Sequence, residues 1–108
     1  MTLPRDPAPG GPARLTLLVR AYCHLCDEMA DALRPLAQAY GVTVDLIDVD
    51  DAGYGNGPLE AAWGDRVPVL FAGAPDAATE LCHYRLDRRR VELVLSGAGK
   101  LARDAEIR

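Results

Sequence analysis

The residues with the most evident chemistry are Cys23-His24-Leu25-Cys26. Two thiols three positions apart fall on one side of a first helical turn, close enough to bond. The reactive form of a thiol is its thiolate, which the free N–H groups at a helix start stabilise. In thiol–disulfide exchange Cys23, nearest the helix end, would be the attacking sulfur, and Cys26, one turn inside, would resolve the mixed disulfide. As a cation, His24 would hold the thiolate and make the disulfide more oxidising. The alternative is an exposed ring with little influence. Tyr22 either flanks the sulfur or fills its loop, and packing is the simpler reading.

The spacing alone admits other uses. A structural zinc site needs two further ligands, for which only Cys82 with His83 or His24 is available. Covalent haem attachment needs histidine at position 27, where the chain has Asp27. An inert pair is the remaining alternative.

The surrounding elements put these residues at a strand-to-helix handover. Leu15-Thr16-Leu17-Leu18-Val19 is a short apolar run suited to a strand buried on both faces, followed by a loop at residues 20–22. Met29, Leu33, Leu36 and Tyr40 then recur at helical spacing, and Gly41 supplies a C-terminal stop. Pro35 removes one backbone hydrogen bond, which predicts a kink or an early end. Asp27 and Glu28 suit the positive end of this helix.

A second strand covers residues 42–49, with Asp48, Asp50 and Asp51 crowding its end before a turn at Gly53, Gly55 and Gly57. Pro58 opens a short helix through Trp63, which is assigned to the core. Val67-Pro68-Val69-Leu70-Phe71 reads as a third strand opening at a proline. A turn at residues 73–76 leads to a fourth strand over 80–84. Asp87 is an N-cap for a last helix carrying Val91, Val94 and Leu95 and ending at Gly97. Arg88, Arg89 and Arg90 oppose that helix's dipole, so it depends on packing. They form either a solvated face or an anion or partner contact. Cys82 reads as a small buried hydrophobe, with a regulatory or dimer-forming thiol as the alternative.

This order predicts an α/β fold, a βαβ unit followed by a ββα unit in a four-stranded mixed sheet flanked by helices on both faces. Residues 14–97 form the domain. Residues 1–13, whose first twelve are half proline and glycine, are a disordered tail, and 98–108 a frayed one.

The whole chain has 108 residues, 49% hydrophobic and 26% charged, the composition of a globular protein that folds without disulfide staples. Its net charge of −4 argues against general binding to nucleic acid or an anionic membrane. No apolar run approaches the roughly 18 residues of a membrane span, and prolines interrupt any signal-peptide core. Three cysteines, two of them in C-x-x-C, do not form a secreted disulfide framework. Together these imply a cytoplasmic setting. Nothing demands more than a monomer.

The strand–C-x-x-C–helix start and the Val67-Pro68 strand start about 40 residues later resemble the thioredoxin superfamily, more closely its glutaredoxin-like group. The resemblance implies a thioredoxin fold and a thiol–disulfide oxidoreductase using a Cys23/Cys26 dithiol–disulfide pair. It also implies a cis bond at Pro68 facing the cysteines, with Val67 offering main-chain hydrogen bonds to disulfide substrates. Arg20 occupies a position where glutaredoxins often carry a base for a glutathione carboxylate. Glutathione is thus a candidate co-substrate, with protein disulfides or glutathione mixed disulfides as partners and no resident cofactor. The glycine pair and acid of typical glutaredoxins are replaced by Leu81-Cys82-His83-Tyr84-Arg85-Leu86-Asp87, with Asp87 near the acid's place. The alternatives are a metal or iron–sulfur binding module and an adaptor whose redox activity is vestigial.

Overall fold

Strand β1 (Arg14–Val19) is central because alternate side chains must be buried on both faces of a sheet. In the computed structural model, which describes residues 14–50 and 57–97, it is followed by α1 (His24–Tyr40), β2 (Thr43–Asp48), α2 (Gly57–Trp63), β3 (Val69–Ala72), β4 (Glu80–His83) and α3 (Arg88–Leu95). The sheet order is β2-β1-β3-β4. β1 pairs parallel with β2 and antiparallel with β3, and β3 pairs antiparallel with β4. This is the expected mixed sheet. The predicted tails and most of the glycine turn, including Asp51, Gly53 and Gly55, lie outside the described residues.

Alternation along the strands divides the core in two. Leu15, Leu17 and Leu70 pack with Met29, Leu33 and Leu36 of α1 and with Val91 and Leu95 of α3. Leu18, Val69 and Phe71 face the other way, onto Trp63 of α2. The Trp63 ring stands edge-on to Phe71, centroids 4.9 Å apart, as the core assignment required. Thr16 is the buried polar residue among these strands, and its hydroxyl donates to the Gly73 carbonyl at 2.7 Å.

Several local expectations need correction. α1 runs through Pro35 to Tyr40 instead of ending early. Pro35 and Asp31 are both exposed, so the carbonyl deprived of its partner faces water, while Leu33 and Leu36 on the opposite side keep their packing. Gly41 then closes the helix with φ 66°, where glycine carries no steric penalty. β3 begins at Val69, two residues later than predicted, because Pro68 has no N–H to give the ladder. β4 ends at His83, since Tyr84 takes φ 66°. Asp87 caps α3 as predicted, accepting from the Arg90 N–H at 3.1 Å. Arg88, Arg89 and Arg90 are exposed, with Arg88 3.5 Å from Glu92.

Among the described residues no helix is long and apolar enough to cross a membrane.

Candidate functional site

β1 delivers the chain to one end of the sheet, and α1 starts there. Cys23 is the N-cap of α1, extended at φ −113° and ψ 106°. Its sulfur accepts a hydrogen bond from the Cys26 N–H at 3.1 Å, and its carbonyl accepts from the Asp27 N–H, also at 3.1 Å. A helix N-terminus has unpaired N–H groups and a partial positive charge, both of which favour negative charge on sulfur. The Cys23 and Cys26 sulfurs lie at disulfide distance, with Cα atoms 5.2 Å apart. Cys26 is buried, at 2% exposure, whereas Cys23 is half-exposed. One sulfur is thus open to attack from solvent and the other sits behind it.

The strand register brings further residues to the same end. Leu18 of β1 lies opposite Val69 of β3, so the chain just before β3 sits beside the chain just after β1. That places Val67 and Pro68 near the cysteine loop. Their peptide bond is cis, Pro68 is buried and Val67 is half-buried. Tyr84, directly after β4, donates its N–H to the Pro68 carbonyl at 2.9 Å and its hydroxyl to the Asp65 carbonyl at 2.8 Å. It braces the turn that leads into Val67.

His24 is exposed in the first turn of α1. Tyr22 does not pack: it is fully exposed, at 105%. Its φ of 59° turns the side chain away from the loop, and left-handed backbone is uncommon for a residue with a Cβ.

Arg20 is half-buried and held by acidic neighbours. Its guanidinium donates to Asp50 through two nitrogens at 2.9 and 3.2 Å, to Glu60 at 2.9 Å and to the Gly64 carbonyl at 3.2 Å. The hydrogen bonds to Asp50 first, and then to Glu60, raise its pKa further above the ordinary arginine value. Gly64 is buried, and a Cβ there would stand 2.5 Å from the Glu60 carboxylate, so glycine leaves room for that carboxylate to reach Arg20.

Cys82 belongs to a different environment. It sits half-buried on β4, packed against the larger core cluster as a small hydrophobe, beside a cleft lined by Glu80, His83, Arg85, Asp87 and Arg90. Burial pushes its thiol pKa up. Among the described residues no group of three or more His, Cys, Asp or Glu side chains is placed to hold a metal ion.

Sequence reasoning missed Asp50, Glu60 and Tyr84 as neighbours of the site. The acidic run at the end of β2 was visible, but its pairing with Arg20 across 30 residues had no local signal.

Comparison with known proteins agrees with this fold. The model of a glutaredoxin-like domain (DUF836) matches residues 14–96. An uncharacterized protein of Mycobacterium tuberculosis is 39% identical over 75 residues, covering 68% of this chain and 77% of that protein. A solution structure of a Nitrosomonas europaea protein is 41% identical with a TM-score of 0.66, over 79% of this chain and 93% of that one. An X-ray structure from X. campestris is 32% identical with a TM-score of 0.52, over 82% and 96%.

Proposed function

The chain belongs to the glutaredoxin-like domain family of the thioredoxin superfamily, and from that premise we propose that it is a thiol–disulfide oxidoreductase. The observation that carries the reading is the asymmetry of the pair. A half-exposed Cys23 sulfur accepts an N–H at a helix start, with a buried Cys26 at bonding distance behind it.

In the dithiol state, the Cys23 thiolate attacks one sulfur of a substrate disulfide in line with the S–S bond. A new Cys23–substrate bond forms, and the other substrate sulfur leaves as a thiolate that takes a proton from water. Cys26 loses its proton and attacks the Cys23 sulfur. The second substrate thiolate leaves, and Cys23–Cys26 becomes the disulfide. Two electrons pass from the pair to the substrate, and an external dithiol restores them. The main chain of Val67 lies outside the sheet ladder, which begins at Val69, so it is free of that ladder to align an extended substrate segment. His24, on the exposed face beside Cys23, adds positive charge when protonated.

The test is a trapping experiment in a Cys82→Ala background. Cys26→Ser, exposed to a model disulfide, is expected to accumulate a mixed disulfide on Cys23 visible by intact mass. Cys23→Ser should accumulate none. Equal adducts on the two variants contradict the assignment of attacking and resolving roles.

A further inference from the structure

Tyr22 and Arg20 are close in sequence to Cys23, and each has a property that the exchange chemistry alone does not require. Tyr22 carries the most exposed large hydrophobic side chain among the described residues, at 105%, directly before the attacking sulfur. It is held in left-handed backbone, at φ 59°. An aromatic ring left fully in water, on a backbone conformation disfavoured for it, is stored free energy of the kind found at functional sites. Burial of the ring against a partner would recover the part due to apolar surface in water.

Arg20 constrains which partner. Four of its five N–H donors go to Asp50, Glu60 and the Gly64 carbonyl, and two carboxylates already balance its charge. The segments meeting at this end of the sheet add Asp27 and Glu28 in the first turn of α1 and Asp48 at the end of β2, against His24 in that same turn, while Asp65 before Val67 lies 4.0 Å from Arg66. Arg66 is stacked on Trp63 at 4.6 Å and bonded to the Ala62 carbonyl, while Arg85 lines the cleft beside Cys82. Glutathione carries two carboxylates and one ammonium, a net negative charge. An acidic surround whose nearest arginine is already paired disfavours it.

Resting on the oxidoreductase reading, we propose that this site selects disulfides of neutral or basic polypeptides over glutathione mixed disulfides. Tyr22 is the residue that covers an apolar side chain next to the substrate cysteine. The extended substrate lies between the Tyr22 ring and the Val67 main chain, its disulfide over Cys23. Exchange then follows the steps above, with electrons supplied by the dithiol pair.

The experiment measures kcat/KM of the reduced full chain on three disulfides. They are a basic peptide with an apolar residue beside its cysteine, the same peptide as its glutathione mixed disulfide, and uncharged hydroxyethyl disulfide. Wild type should prefer the peptide disulfide over the glutathione mixed disulfide. Tyr22→Asn, which tolerates the left-handed backbone, should lose about tenfold on the peptide disulfide, mostly in KM. Its loss on hydroxyethyl disulfide should be several-fold smaller, and Tyr22→Phe should retain the wild-type rate. Equal loss on all three substrates, no loss on the peptide, or a preference for the glutathione adduct overturns the proposal while leaving the redox reading standing. If wild type turns over none of the three, the redox reading itself fails and the proposal with it.

Discussion

Three cysteines in one small protein differ because different atoms surround their sulfurs. Cys23 meets an N–H at a helix start, Cys26 is buried behind it, and Cys82 is half-buried on β4. Burial raises the Cys82 pKa, so its thiol is expected to alkylate slowly near neutral pH and to react only above the ordinary thiol range. Mass-resolved alkylation of the reduced protein across pH checks this, and labelling of Cys82 as fast as Cys23 at neutral pH would contradict it. A folded pKa above the unfolded value leaves the stability contribution intact below the unfolded thiol pKa. That contribution is lost as pH rises through the folded value. Unfolding of reduced wild type should therefore become easier at alkaline pH than that of Cys82→Ala, relative to each at neutral pH. The pairing of Cys23 with Cys26 at the start of α1 was legible from sequence because it depends on a three-residue spacing at a local transition. The states of Tyr22 and Arg20 were not. The exposure of Tyr22 depends on a single backbone angle, and the partners of Arg20 lie 30 and 40 residues away.

At the level of elements, the site depends on α1 being held against the sheet from Cys26 to Ala37. Leu33, 1% exposed in the larger core cluster, is expected to cost about 2–5 kcal/mol as Leu33→Ala, read by urea unfolding. Pro35 contributes the opposite sign. Pro35→Ala restores an exposed helical hydrogen bond to Asp31 and should stabilise the protein by roughly 2 kcal/mol, less the chain entropy that proline removed from the unfolded state. Destabilisation by Pro35→Ala would show that the ring makes a packing contribution at this exposed position. Asp87→Ala should remove the α3 cap and cost about 1 kcal/mol. Helix and strand order was readable because apolar periodicity and stop residues are local. Of the kink or early end expected at Pro35, the early end does not occur, because packing of Leu33, Leu36 and Ala37 outweighs one hydrogen bond on the solvent side. The start of β3 was misplaced because apolar character continues through Val67 and Pro68, whereas ladder pairing begins at Val69.

For the whole molecule, the sheet order makes the fold a positioning device. The end of β1, the end of β2, the approach to β3 and the end of β4 converge at one edge, where α1 also begins. Cys23, Asp50, Val67, Pro68 and Tyr84 therefore meet although the sequence scatters them over more than half its length. The central claim is that Cys23 and Cys26 interconvert as one dithiol–disulfide couple. The most direct test equilibrates the full chain in a series of glutathione redox buffers, quenches with acid, alkylates and reads intact mass. The predicted result is joint conversion of Cys23 and Cys26 with a single midpoint, while Cys82 remains a thiol throughout. Cysteines that stay blocked until a chelator is added, or that are both fully alkylated at every buffer ratio, would contradict it.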